Sequence, residues 1–563
     1  MRVISRRARA SRGRAVRPAA TRARVIVLAL TLVVVSGWVA PTAPEAAAAT
    51  QGDAMPLATN LEWFAQWNAW AFVDAFRMSS PWISGRPWAP DRPAVWNDGR
   101  PLDLDENGWV RSLRSNQIAR TTMLWGPLPT RPAGLYVVLY DGRGRLGYGG
   151  SAQLVSSRRG RDVIRVSSNQ GIELQILRTN PNNYIRNIRV IMPGGIYADD
   201  PYTVVYDPDP GRDDYLSFEE HYSDIVFHPD FLSDLRGYEA VRFMNWMLTN
   251  VTRQHSWSDR PQMQDAHWTL EGPPLEVMID LANRVGFDPW FNIPHRASNT
   301  YVRKFARMVR DLLRPDLTAY VEYSNEVWNT TFRQHAYARA QGLRLGLATD
   351  PFRAATLYYA RRSAQIFIIW EDVFGDPDRF VAVVGAKAWD AGYARTILRY
   401  GPLRAHGDVL AIDGYFGFEA TWSQNCNRVS AMTLREFGNY VRDDLVPNAL
   451  SRTRANAAVA QARGMPLIVY EGGQHFTTNS CNGNRSKQRK VEKLFDRFNR
   501  SPRIKLIYLN FLRAESAAGV TLFAHYHATG KWTSDGRFGA RQHLLQTRAE
   551  APKYAALQIW MGQ

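Results

Sequence analysis

Cysteine is nearly absent: the 563 residues include two, Cys426 and Cys481. Two thiols fall short of the four ligands of a structural zinc site, so no metal is expected. No Gly-x-x-x-x-Gly-Lys-Ser/Thr string, Gly-x-Ser-x-Gly elbow or His-Glu-x-x-His pair occurs. Phosphate-loop, serine-hydrolase and zinc-protease chemistry therefore lack their residues. No basic tract interleaved with aromatics marks a nucleic-acid groove. The apolar run Val25 to Val35 is shorter than the ~20 residues that span a bilayer. Internal repeats are missing, and the low-complexity sequence is confined to the N-terminal leader.

Acidic residues are missing from the first 24 positions, which carry nine arginines. An apolar run and then small residues through Ala46-Ala47-Ala48-Ala49 follow, the order of an export signal. Residues 1–49 are read as a signal peptide, with retention as an anchor the alternative. Their removal, with nine arginines and Glu45, takes the net charge from +18 to +10. That excess favours a negatively charged polymer or cell surface, or serves solubility alone. A secreted or cell-surface location follows, with no stable membrane insertion after cleavage. In an exported chain the two cysteines are expected to form one disulfide. Both lie in Asn-rich, loop-like segments, so the bridge would tie loops beyond successive strands.

Hydrophobic residues make up 45% and charged residues 22%, the composition of a folded chain. Leu57–Glu62 reads as a short strand, followed by an aromatic segment with Trp63, Trp67, Trp70, Phe72 and Phe76. Across 96–195 the pattern is alternating and turn-punctuated, without a clear helix. This is an all-β, sandwich-like domain that binds glycan or packs on its neighbour. Beyond it, strands and helices alternate. The strands are expected at Ala240–Asn245, Asp288–Pro294, Ala319–Ser324, Phe380–Val384, Val409–Gly414, Pro466–Tyr470 and Gly519–Ala524. Helices are expected at Leu275–Val285, Tyr301–Arg314, Ala355–Ile369 and Arg485–Phe495. In the second of these, Val302, Phe305, Val309 and Leu312 form one stripe. With the first strand this makes eight strand–helix units, an α/β protein with a (β/α)8 TIM barrel. An open doubly wound sheet would need a glycine-rich turn after its first strand, which is missing. The plan is a leader at 1–49, the first strand and start of the barrel at 50–95, the inserted β domain at 96–195 and the remainder of the barrel at 196–563.

Two strands end in glutamates. Ala319-Tyr320-Val321-Glu322-Tyr323 leads into Ser324-Asn325-Glu326, and 145 residues on Pro466-Leu467-Ile468-Val469-Tyr470 leads into Glu471-Gly472-Gly473. Carboxyl ends of barrel strands hold catalytic side chains, and the fourth and seventh strands face each other across the mouth. Glu322, two residues before the first motif ends its strand, shares its face at a deeper level and is expected to pair inside the barrel.

Ser324-Asn325-Glu326 and Tyr470-Glu471-Gly472 resemble the acid/base and nucleophile signatures of the clan of retaining (β/α)8 glycoside hydrolases, which includes cellulases, mannanases and xylanases. The resemblance covers the barrel in topology and short motifs in sequence; the inserted domain lies outside it. It implies Glu326 as acid/base and Glu471 as nucleophile, cleaving a β-linked oligo- or polysaccharide without a cofactor. Asn325 would grip the neighbouring sugar hydroxyl, and Arg242 would lie beneath the nucleophile. His295 and Tyr415 match a substrate-contacting histidine and a nucleophile-supporting tyrosine, or else are packed or capping residues. Asp413 could serve in the layer of Tyr415. The eighth strand, Phe523-Ala524-His525-Tyr526-His527, departs from the clan's tryptophan, with Trp532 following in the loop. His525 and His527 are expected on one side of the strand, making polar contacts at the cleft rim. Trp328, Trp389, Trp422 and Phe416 follow strand ends and are candidates for sugar subsites. The alternatives are transglycosylation on the same residues and a non-catalytic secreted glycan-binding or cell-surface protein built on the barrel.

Overall fold

The computed structural model describes residues 55–126, 131–167, 170–478 and 481–563. The expected leader lies outside the described residues. Among the described residues no helix is long and apolar enough to cross a membrane.

Eight parallel strands close into a barrel: Leu57–Asn60, Ala240–Arg242, Asp288–Ile293, Ala319–Tyr323, Phe380–Gly385, Val409–Phe416, Leu467–Gln474 and Val520–His525. Each pairs with the next, and the eighth pairs with the first. Both faces of such a strand are buried, which is why these segments read as nearly continuous apolar runs. Inside, Ala58, Ala240, Ala411 and Ala524 leave room for Trp290, Ile468, Tyr470 and Leu522, small side chains set against large ones. The alternate residues Leu57, Val241, Phe291, Val321, Leu410, Val469 and Phe523 point outward into the main core.

The crossover helices follow from their apolar stripes. The first expected helix forms at Leu275–Val285 and stops at Gly286, whose φ of 86° suits glycine. The next, Asn299–Leu312, is capped by Ser298, whose hydroxyl accepts from the Tyr301 amide at 3.2 Å. It buries Val302, Phe305 and Val309. Leu312 leaves the expected stripe and is 48% exposed, because the helix ends there and Leu313 takes the buried place.

Between the first and second barrel strands the chain is antiparallel β. One four-stranded sheet takes the order Ile83–Gly85, Ile118–Met123, Ile172–Thr179, Gly144–Gly150. The other runs Arg186–Ile191, Gly134–Asp141, Arg161–Val166, Ala152–Arg158. A three-stranded sheet of Asp200–Val205, Gly195–Tyr197 and Tyr215–Ser217 and a two-stranded ribbon complete the insertion. Tyr136, Val138 and Ile164 from one large sheet and Ile172, Leu174 and Ile176 from the other are buried in one cluster. That cluster continues through Phe72, Phe76, Trp246 and Trp268 into the barrel. The insertion thus packs on the barrel through a shared aromatic core.

Cys426 and Cys481 form a disulfide with Cα atoms 5.5 Å apart, as the sequence led us to expect. Cys426 does not lie in a loop as expected but opens the short helix Cys426–Ala431 after the sixth strand, and the bridge ties that helix to the segment after the seventh strand across a sequence separation of 55. Closing such a loop restricts the unfolded chain, so Cys426→Ser/Cys481→Ser should lower the unfolding free energy by about 2–4 kcal/mol. Denaturant titration of the oxidised protein beside the double variant measures this. Equal midpoints would contradict it.

Candidate active site

The centre of the barrel is organised by Arg242, which ends the second strand and is fully buried. Nε donates to Glu322 Oε2 at 3.0 Å, and Nη2 donates to Glu322 Oε1 at 3.0 Å and to Asn325 Oδ1 at 2.9 Å. Nη1 donates to Glu471 Oε2 at 3.1 Å and to Asn60 Oδ1 at 3.2 Å. A guanidinium has five N–H donors, and each has an acceptor here. Glu322 also accepts from Trp290 Nε1 at 3.0 Å and Asn292 Nδ2 at 2.8 Å. Glu322 therefore pairs inside the barrel, and Arg242 lies against the nucleophile candidate.

A local irregularity places Glu471. Ile412 stands opposite Val469, but Asp413 stands opposite Glu471, so Tyr470 is an extra residue in the seventh strand. Strict alternation would send Tyr470 and Glu471 to opposite faces; the bulge lets both reach the interior. The following glycines allow the close approach. A Cβ on Gly472 would come within 2.6 Å of the Phe523 ring, and Gly473 sits at φ 114°.

Glu326 is placed by a tight turn after Tyr323, in which Ser324 and Glu326 take φ of 61° and 41°. Such left-handed positions are strained for residues with a Cβ and persist where neighbours fix them. Here Asn292 Nδ2 donates to the Ser324 carbonyl at 2.7 Å, Gln334 Nε2 to the Asn325 carbonyl at 2.7 Å, and the Asn329 amide to the Glu326 carbonyl at 2.8 Å. The Glu326 carboxyl accepts from Asn329 Nδ2 at 2.9 Å and from the Tyr470 hydroxyl at 3.3 Å. It remains partly exposed, while Glu471 is buried.

Charge separates the two glutamates. Burial raises the pKa of Glu326 well above the carboxylate range, and the negative charges of Glu471 and Asp413 raise it further. Burial also raises Glu471, but the Arg242 guanidinium opposes the shift. One guanidinium faces two carboxylates, Glu322 and Glu471, so a third negative charge at Glu326 is the least favourable of the three. The pKa of Glu471 is raised to about 7 and that of Glu326 is raised well above the carboxylate range, so of the two Glu471 is the one that Arg242 favours in the ionised form.

The other expected residues divide. Asp413 is buried, its pKa pushed up to about 6 by burial, and its Oδ1 accepts from the Ala388 amide at 2.7 Å. Tyr415 is close enough for Glu471 and Glu326 to raise its hydroxyl pKa further after burial, and it packs on Tyr526, His475 and Phe538. Asn325 is buried, with Nδ2 on Asn250 Oδ1 at 3.0 Å. Trp328, two residues past Glu326, stands edge-on to Trp389 at 4.8 Å, and Trp389 is 57% exposed. His295 is buried against Tyr337, and burial lowers its pKa to about 4, so it is neutral.

Three expectations fail. His525 faces outward, where its Nε2 meets the Tyr508 hydroxyl at 3.3 Å. His527 does not share that side: its φ of 68° breaks the alternation and turns the ring to Glu62, 3.1 Å from Nδ1, and to Asn245, 2.9 Å from Nε2. Phe416 is core, packed on Phe476, Tyr508 and Phe511. Trp532 is partly exposed in the loop after the eighth strand, with Arg500 and Lys553 each 4.9 Å from its ring centre and Nε1 donating to the Gly539 carbonyl. Tyr470, Tyr526 and the Glu62–His527 pair went unread in the sequence. The inward place of Tyr526 was legible from the alternation Phe523 out, Ala524 in, His525 out. Among the described residues no three His, Cys, Asp or Glu side chains group as a cation site requires.

No protein-family model matches this chain, and no curated protein matches it. Among solved structures, the barrel resembles those of several glycoside hydrolases. A modular endo-β-1,4-mannanase from Cellulomonas fimi aligns at 13% identity over 57% of this chain and 62% of its own, with a TM-score of 0.31. A 4-O-α-L-rhamnosyl-β-D-glucuronidase from Fusarium oxysporum aligns at 13% identity over 59% and 63%, with a TM-score of 0.34. An exo-β-1,4-mannosidase from an Opitutaceae bacterium aligns at 14% identity over 59% and 55%, with a TM-score of 0.33. The chain thus spans less than two thirds of the length of these proteins.

The charge arrangement sets a pH dependence of stability. A carboxyl whose folded pKa is raised stabilises the fold below the unfolded value, about 4.3, and that contribution is lost as pH rises through the folded value. Glu326→Gln removes this titration. The variant should gain stability relative to wild type between about pH 5 and pH 8, with the difference shrinking toward pH 4. Urea midpoints across that range measure it; a constant difference would contradict a raised Glu326.

Proposed function

We propose that this protein is a retaining glycoside hydrolase acting on a β-linked oligo- or polysaccharide. The observation that carries the reading is the pair itself: Glu326 and an Arg242-bound Glu471, from opposite strands, close enough for the Glu471 charge to raise the pKa of Glu326. Glu326 donates its proton to the glycosidic oxygen while Glu471 attacks the anomeric carbon, breaking the C–O bond and forming a glycosyl-enzyme. The leaving alcohol departs. Glu326, now ionised, takes a proton from water, and the hydroxide displaces Glu471 to release the sugar. The Tyr470 hydroxyl and Asn329 amide steer the Glu326 carboxyl through both steps. Trp389 offers an exposed aromatic face beside Trp328, suited to the apolar face of a sugar ring.

The test is turnover on a panel of neutral and acidic β-linked glycans, with proton NMR following the first-formed anomer. Retention of configuration is expected. Glu326→Gln should lower kcat by about 10²–10⁴-fold on substrates with poor leaving groups and by less on activated aryl glycosides, which need little protonation. Glu471→Gln should abolish turnover on both. Binding without cleavage, equal in wild type and both variants, would make the barrel a glycan-binding scaffold. Products longer than the substrate would make it a transglycosylase.

We also propose export. The basic, apolar and small-residue order of residues 1–49 and the Cys426–Cys481 disulfide support it, since disulfides persist in oxidising compartments. N-terminal sequencing of protein from the culture medium should find a start near residue 50. Recovery in the cytosol alone would contradict it.

A further inference from the structure

The sheet is incomplete beside the bulge that carries Glu471. The seventh strand pairs with the eighth at Val469 opposite Phe523 and next at Gly472 opposite His525. One residue, Ala524, therefore stands against two, Tyr470 and Glu471. The eighth strand ends at His525, and the left-handed φ of 68° at His527 turns the chain away. The Gly472 carbonyl still accepts from the Tyr526 amide at 3.0 Å. Gln474, two residues on, faces the same neighbour, but the paired part of that strand is already past.

A side chain from outside the sheet fills this gap. Tyr508 lies on the helix Pro502–Ala517, which joins the seventh and eighth strands. Its hydroxyl accepts from the Gln474 amide at 3.0 Å. That leaves the hydroxyl proton for His525 Nε2, 3.3 Å away. Burial holds the pKa of His525 well below its ordinary value, so the ring is neutral and can accept. Gln474, Tyr508 and His525 are all buried. Gly473 lies between this contact and Glu471. A Cβ there would come within 2.8 Å of the Tyr508 hydroxyl and 3.2 Å of the His525 ring. The two side chains thus press on the backbone two residues from Glu471. A phenylalanine and an aliphatic residue would fill the same core without burying polar groups. The polar pair adds what packing alone does not, a fixed end for the bulged strand. A slip of one residue there would exchange the sides of Tyr470 and Glu471.

We propose that Tyr508 and His525 are positioning residues for Glu471. They fix the register of the bulge, so that the carboxyl stays on Arg242, 3.1 Å from Nη1, and aimed at the anomeric carbon. This rests on the reading of Glu471 as the nucleophile. Neither side chain touches the substrate, since Tyr508 comes from an outer helix and His525 faces outward; both act through the backbone.

Tyr508→Phe keeps the ring and removes the hydroxyl, and His525→Leu removes its acceptor. Each should lower kcat by about 10–10²-fold, the cost of a nucleophile displaced by about 1 Å. KM should stay nearly unchanged, because the lost interaction is one felt only in the transition state. The double variant should be no slower than the worse single one, because the two residues act through one contact. Circular dichroism and urea unfolding establish that each variant is folded at the assay temperature. Full kcat in both single variants, with only a lowered unfolding midpoint, would overturn the proposal and leave the pair a matter of stability. Losses that multiply in the double variant would overturn it too. A wild type that cleaves no glycan would instead defeat the hydrolase reading, and this inference with it.

Discussion

One buried guanidinium holds this molecule's centre together. Arg242 donates to side chains from the first, fourth and seventh strands, and the Glu322 it binds is also held by Trp290 and Asn292 of the third. Burying these charges is favourable only when every donor and lone pair is used, and removing one partner costs about 3–5 kcal/mol. The barrel must therefore close in the right register for Arg242 to be satisfied. Once it closes, two carboxylates, Glu322 and Glu471, share the one cation, and Glu326 faces the charge of Glu471 without a cation of its own. The proposed acid–base roles rest on that same arrangement.

The insertion and the disulfide act around that centre. The insertion joins the barrel through Phe72, Phe76, Trp246 and Trp268, so it shares the barrel's core rather than standing as an independent lobe. The disulfide ties the helix that Cys426 opens after the sixth strand to the segment after the seventh, and the seventh carries Glu471. Around the two glutamates, short polar contacts hold a strained turn at Glu326 and a bulge at Tyr470. Neither is stable on local propensity alone.

Much of this was legible in the sequence because a parallel barrel imposes simple rules. Apolar runs ending in polar residues located the eight strands, and two-residue periodicity placed Glu322 beneath Glu326. What was hidden broke those rules. The bulge brought Tyr470 to the same side as Glu471, and no local turn signal marked it. A left-handed φ at His527 separated it from His525, and only the packing of Glu62 and Asn245 explains that turn. Phe416 looked like a subsite residue because aromatics near strand ends have two uses, core and platform. Their neighbours decide which, and those neighbours are distant in the chain. Leu312 fitted a helical stripe, but a helix boundary moved it into solvent.

The central claim is that Arg242 orders the two glutamates, leaving the proton on Glu326. Carbon-13 NMR titration of glutamate carboxyls reads this without any substrate. Coupled groups titrate as a pair, so single variants assign the steps. The account predicts that the highest carboxyl titration disappears in Glu326→Gln while the Glu471 step stays nearly in place, because its neighbour is still neutral as it titrates, and that in Glu471→Gln the highest step moves down, freed of the Glu471 charge. Persistence of the highest step in Glu326→Gln, with its loss in Glu471→Gln, would contradict the account and reverse the two roles.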